Sequence, residues 1–319
     1  MATGEHIWNR ELVLVTGKGG VGKTTIAAAL ARAAQAEGKR VLLAEVTSEV
    51  ANTSPLLGFF GQPRPHGEAP IRLDDNVDGV RITPSAGHRL FLSAALHSGM
   101  LANAAMRSAA LNRFLLAAPA FPEIGTLYML VTLLREKRWD HVVVDLPATG
   151  HALGLVSLPR TVLRILPSSG LIGGAIQEGL DALTHPARTG AVVVTLPEAL
   201  PVQEGLELEE GLKKLNVPVR AMVLNRMPKH AFSETERTAL DAHMRGRATE
   251  PLLGTREFRR LERALDARAR FRAGVPAGVN RVEIPLCDTT TDSQEIMEHV
   301  GLALRQVHLG DPSPVEVMP

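Results

Sequence analysis

Cysteine is almost missing from this chain: Cys287 is the only one in 319 residues. That excludes an intramolecular disulfide framework, a cysteine-based zinc site within one chain and a CxxC redox motif. Aromatic residues are sparse too. Eight Phe, two Trp and one Tyr are too few for the stacking platforms that hold single-stranded nucleic acid or sugars. Neither charge sign predominates. With 35 Lys and Arg against 34 Asp and Glu, for a net charge of +1, the broad basic surface of a nucleic-acid binder is lacking, and no nucleic-acid partner is expected. No window approaches the ~18 consecutive apolar residues of a membrane span. Met1–Arg10 carries Glu5, His6 and Asn9 and has no apolar secretory core. The expectation is a soluble, cytoplasmic protein.

At about 150 residues per domain, this length suggests two domains or one large α/β domain with an insertion. Leu12–Thr16 is a Val-rich apolar run that ends in a glycine cluster, the pattern of a buried parallel strand. Thr24–Glu37 is Ala-rich with helical spacing and Gly38 at its end, and Val41–Val46 reads as a second strand. The proline-bearing stretch Asn52–Asn76 reads as a surface loop, with a short strand at Val77–Ile82. His88–Lys137 reads as helical, and Pro119 and Pro122 divide it into at least two helices. Further strands are expected at His141–Asp145, Ala191–Leu196, Val219–Asn225 and Val282–Pro285. The sum is a doubly wound, mainly parallel sheet over residues 1–308, with helical insertions at about 85–138 and 160–186 and a loose, proline-rich tail from 309 to 319.

The strongest chemical signal is Gly17-Lys18-Gly19-Gly20-Val21-Gly22-Lys23-Thr24-Thr25. It satisfies GxxxxGK[ST] and lies between a predicted strand and a predicted helix, as a phosphate-binding loop requires. Glycines let the backbone aim successive N–H groups at phosphate oxygens. The helix that follows adds its positive dipole end. Lys23 can reach the β- and γ-phosphates of ATP or ADP, and the Thr24 hydroxyl can bind Mg²⁺. Asp145, at the carboxyl end of an apolar strand, suits a second Mg²⁺ contact made through water.

Lys18 is not needed to hold phosphate within one subunit. With it, the loop resembles the deviant Walker A motif of the septum-site, arsenite-pump (ArsA) and nitrogenase-iron-protein class of P-loop ATPases. The segment Asp145-Leu146-Pro147-Ala148-Thr149-Gly150-His151 resembles the switch II of the arsenite-pump and guided-entry branch. Val223-Leu224-Asn225-Arg226, Val282-Glu283-Ile284-Pro285-Leu286 and Val194–Gly205 are similar to later segments of the same family. The resemblance covers most of residues 11–305. It implies a dimer, or a heterodimer with a paralogue, closed face to face by ATP, with Lys18 reaching the other subunit's nucleotide. It implies that Gly150 lies in a γ-phosphate sensor, that Asn225 reads the adenine edge and that Pro285 lines the base pocket. His151 belongs to the switch or packs on the following helix, and Lys18 has the alternative of a solvated loop lysine.

Departures from the family pattern narrow the reading. Thr47 stands where the guided-entry switch I carries its water-orienting Asp, which leaves Glu45 to order Mg²⁺ or water, with Glu49 in reserve. One cysteine cannot supply the thiols of a metalloid site, a zinc clasp or an iron–sulfur cluster. The expected function is an ATP-driven conformational switch that handles a hydrophobic or membrane-protein client; a slow regulatory switch working with a protein partner, and less so a small-molecule kinase, are the alternatives. The apolar stretch His97–Leu134 is either a client groove or helices packed on one another, on the sheet or on a second subunit. The arginine-rich stretch Arg245–Arg281 is either a solvated helix face with pairs such as Glu262 and Asp266 to Arg259, Arg263 and Arg270, or a docking surface for an acidic protein or a membrane.

Overall fold

A computed structural model describes residues 9–48, 51–64, 67–117, 120–164, 170–229, 232–245, 254–287, 293–305 and 315–316. The first strand, β1 (Leu12–Gly17), feeds the glycine loop and helix α1 (Lys23–Ala36), and β2 (Val41–Val46) follows. A short α2 (Pro55–Gly58) precedes the hairpin of β3 (Ile71–Asp74) and β4 (Val77–Ile82). Four helices come next: α3 (Pro84–Leu96), α4 (Gly99–Met106), α5 (Ala109–Ala117) and α6 (Phe121–Arg135). Then come β5 (His141–Asp145), α7 (Thr149–Leu163), α8 (Leu171–Thr184), β6 (Thr189–Thr195), α9 (Ala199–Lys214) and β7 (Val219–Met227). The remainder is α10 (Glu234–Arg245), α11 (Thr255–Gly274), β8 (Asn280–Pro285), α12 (Ser293–Arg305) and β9 (Val315–Glu316).

Among the described residues nine strands form one sheet in the order β3-β4-β2-β5-β1-β6-β7-β8-β9. Every pairing is parallel except β3 with β4. β1 lies between β5 and β6; the connection from β1 to β2 runs one way along the sheet and that from β5 to β6 runs the other, which makes the carboxyl end of β1 the topological switch point where ligands bind in open α/β sheets. Both faces are covered, as a parallel sheet demands. Leu12 and Leu14 face a core with Leu127 and Leu130 of α6, Ile176 and Leu183 of α8 and Leu208 of α9. Val13 and Val15 face the Ala-rich α1 together with Met297, Val300 and Leu304 of α12. Glu11 ties the start of β1 to two connections, accepting a fork from Arg188 (2.6 and 3.0 Å) and a bond from Lys137 (2.8 Å).

One expectation needs correction and two gain detail. Asn52–Asn76 is not all loop. Ser54 accepts a hydrogen bond from the Leu57 N–H with Pro55 at the first helical position, and these cap and start α2. Polar Arg72 and Asp74 disguise β3, an edge strand that turns back through Asn76 (φ 58°). The stretch predicted as helical from His88 begins earlier, at Thr83-Pro84, and divides into four helices. Prolines mark only one of its breaks. The others fall at Ser98, whose hydroxyl caps Leu101, and Ser108, whose hydroxyl accepts from Leu111. Within the segment expected to be a loose tail, Val315–Glu316 pairs in parallel with Val282–Glu283.

Candidate nucleotide site

The glycine loop folds tightly because two of its glycines have no room for a side chain. Gly17 has φ 148°, and a Cβ there would lie 2.2 Å from the Val194 carbonyl oxygen on β6. Gly22 has φ 96°, and its Cβ would lie 2.4 Å from Asn225 Nδ2. Gly22 caps α1 with no side-chain hydrogen bond, so the first N–H groups of α1 keep their donors for an anion. Gly19 and Gly20 lie exposed on the crest, and Thr25 is half-buried in the first turn of α1.

Lys23 bends back over this crest. Its Nζ donates to the Lys18 carbonyl at 2.9 Å. Burial lowers its pKa, and the charge of Asp145 works against that shift. Thr24 Oγ1 donates to Asp145 Oδ2 at 2.7 Å. Asp145 Oδ1 is buried without a hydrogen-bond partner. Burial pushes the Asp145 carboxyl up to about 6, held back by the Thr24 hydroxyl and the Lys23 ammonium.

Glu45 sits beside Asp145. The two are register partners on β2 and β5, and Arg81 on β4 is the partner of Glu45 on its other side. Glu45 is buried, and its Oε2 accepts the Ser54 hydroxyl. Its pKa is raised, chiefly by burial, against the Ser54 bond; Asp145 adds to the rise and Arg81 opposes it. Gly150 lies in the first turn of α7, five positions after Asp145. Glu49 lies outside the described residues.

The two residues expected beside the base, Asn225 and Pro285, stand at the same end of the sheet. Asn225 Nδ2 donates to the Val21 carbonyl at 2.8 Å, and its Oδ1 accepts from the Arg226 N–H at 2.9 Å. These two bonds use one N–H and one lone pair of the amide. Pro285 is paired in register with Met227 on the neighbouring strand. Gly17, Glu45, Asp145, Asn225 and Pro285 thus all stand at or near the carboxyl ends of parallel strands.

These observations decide the fold family. A family described as anion-transporting ATPase, ArsA type, matches residues 10–178. The chain belongs to the ArsA family of P-loop ATPases. The ATPase BagA of Mycobacterium tuberculosis is 33% identical over 232 residues, which cover 69% of this chain and 66% of that protein. The arsenical pump-driving ATPases of Acidiphilium multivorum and Escherichia coli are each 28% identical, over 74% and 67% of this chain but only 42% and 34% of their own length. The chain therefore matches less than two thirds of the length of these relatives.

The structure also brings in residues that the motifs do not reveal. Lys18 Nζ lies 2.6 Å from Glu204 Oε1 on α9. Ser54, fully buried, joins the site through Glu45. Glu204 lies in Val194–Gly205, whose family likeness is visible but whose contact spans 186 residues of sequence. The arginine-rich stretch is divided in its duties. Arg268 and Arg272 of α11 clamp the buried Glu283 of β8 at 2.6 and 2.5 Å. Glu262 pairs with Arg237 of α10 at 3.0 Å, rather than with an arginine of its own helix. Arg260, Arg263 and Arg270 line a groove of about 1030 Å³ between α9, α10 and α11, with Leu200, Phe232 and Leu286. No helix among the described residues is long and apolar enough to cross a membrane.

Proposed function

We propose that this chain is a Mg²⁺-dependent ATPase whose closure around ATP, two subunits face to face, works as a conformational switch for a hydrophobic client protein. The observation that carries the reading is the Thr24–Asp145 hydrogen bond behind an uncapped helix N-terminus, with Asp145 Oδ1 buried and unpartnered. Mg²⁺ is held in such sites by one or two carboxylates, substrate phosphates and water rather than by an all-protein cage. The residues fit that demand: among the described residues no group of three or more His, Cys, Asp or Glu forms a metal cage, while Thr24 and Asp145 offer one hydroxyl and one open carboxylate oxygen. When bound, the ion would neutralise charge on the β- and γ-phosphates.

The chain's own residues supply the rest. Loop amides from Gly17 to Thr25 and the Lys23 ammonium hold phosphate. Glu45, with its raised affinity for a proton, is placed to accept one from the attacking water, and ADP and inorganic phosphate are the products. Asn225 and Pro285 hold the base, and Gly150 lies in the segment that senses the γ-phosphate. Lys18 serves the second subunit, identical or paralogous. Leu96, Met100 and Leu101 are 43%, 82% and 56% exposed at the α3–α4 junction, whereas Leu127, Met129 and Leu130 of α6 are spent on the core. The client surface is therefore the α3–α4 end, in a cytoplasmic setting.

A second reading, a slow regulatory switch without chaperone activity, draws on Thr47 and on the tether of Glu45 to Ser54. Light scattering after size exclusion, together with phosphate release, tests both. ATP, and not ADP, is expected to double the mass of the wild type and leave K18A monomeric. A nucleotide-dependent change in hydrophobic-probe binding that is lost in M100S/L101S supports the client reading; its absence supports the slow switch. Failure of the wild type to bind ATP or to change association overturns the proposal.

A further inference from the structure

We propose that Glu204 is the positioning residue for Lys18. It holds the lysine within its own subunit, and the ion pair must open before Lys18 reaches the nucleotide of a second copy of this chain. This inference rests on the reading that Lys18 acts across a subunit interface.

The geometry has a fixed side and a movable side. Glu204 lies in the second turn of α9, and that helix is anchored: Val202, Leu208 and Leu212 are buried in the core. Gly205, the next residue, brings the helix so close to β6 that a Cβ there would lie 3.3 Å from the Thr195 Cβ. Lys18 sits on the exposed crest of the loop, with its side chain 43% exposed against 30% for Glu204. Release of the pair is therefore a movement of the loop, not of α9.

Residue 18 is held twice. Its Nζ donates to Glu204 Oε1 at 2.6 Å, and its carbonyl accepts from Lys23 Nζ at 2.9 Å. A phosphate that draws Lys23 inward removes the second contact and leaves the Glu204 pair as the remaining restraint. Glu204 Oε2 is buried with no hydrogen-bond partner, so departure of Lys18 strips the carboxylate of the contact made by Oε1. Desolvated carboxylates do not forgo a counter-ion without cost. The pair thus favours the separated subunits and sets how much ATP is needed to join them. Half-exposed ion pairs of this kind shift equilibria by about two- to fivefold.

The test is sedimentation of the full chain over a range of ATP concentrations. E204Q keeps the shape of the side chain and removes its charge. It is expected to tighten ATP-dependent self-association by about two- to fivefold, with unchanged affinity for ADP; E204D is expected to restore the wild-type value. E204A, which removes the carboxylate without added bulk, shifts in the same direction as E204Q. K18A abolishes ATP-dependent association in either background. If E204Q and E204A associate as the wild type does while K18A cannot, Glu204 does not restrain Lys18 and the dimer reading stands alone. If K18A itself associates like the wild type, the reading beneath the inference falls with it.

Discussion

Glu45 and Asp145 stand side by side in register on β2 and β5, two buried carboxylates whose pKa values are both raised by burial. For Asp145 the rise is from 3.8 to about 6. The folded chain therefore binds this proton more tightly than the unfolded chain, and stability falls as pH climbs between those two values. Above about pH 6 the whole penalty is present. D145N removes it, so the nucleotide-free variant is expected to be more stable than wild type at pH 8, by about 1–3 kcal/mol. The gain disappears near pH 4. Hydrolysis in the same variant falls by about a hundredfold or more, because a metal contact contributes several kcal/mol to the transition state. Denaturant titrations at both pH values, paired with phosphate release, check the prediction. An unchanged stability at pH 8 would contradict it.

The Ser54 hydroxyl joins two duties, capping α2 and orienting Glu45. E45Q is expected to slow single-turnover hydrolysis by about a hundredfold while ATP still binds. S54A should cost about 1 kcal/mol of stability through the lost cap and lower turnover by roughly tenfold, a loss that S54T partly restores. Rapid-quench measurement with enzyme in excess over ATP separates chemistry from release. Unchanged single-turnover rates in E45Q would rule out Glu45 as the base.

Asn225 fills the space that a side chain at Gly22 would need. A side chain at position 22 collides with Asn225 Nδ2 and is also strained by φ 96°. G22A is therefore expected to lose about 2–3 kcal/mol of stability and most nucleotide affinity. N225A alone weakens the loop by freeing the Val21 carbonyl. In G22A/N225A the collision is relieved, so the double variant is more stable than the sum of the single losses predicts. A double-mutant cycle on melting and on ADP binding reads this coupling, and strict additivity would dismiss it.

What the sequence revealed was local. Gly17–Thr25 and the apolar strand ending at Asp145 carry their chemistry within a few residues, and both were legible, as were the strands that place Asn225 and Pro285. Ser54 was hidden in a proline-bearing stretch read as loop, because its partner Glu45 lies nine residues away across a strand end. Glu204 was hidden by distance, since no spacing rule connects it to Lys18 across 186 residues. The divisions at Ser98 and Ser108 are hard to read in the sequence because a hydroxyl cap divides a helical run without a proline to mark it. Arg268 and Arg272 read as surface charge, yet they face a buried glutamate on a strand.

The central place of β1 has a consequence for biosynthesis. β1 is flanked by β5 and β6, both translated long after it, and the Val21–Asn225 bond waits for a residue 204 positions downstream. The nascent Leu12–Gly17 segment, mostly apolar and buried in the finished sheet, has no strand beside it until His141–Asp145 has been translated. The glycine loop is thus synthesised well before the strands and the asparagine that hold it in place, and it takes its finished shape only after residue 225 has emerged.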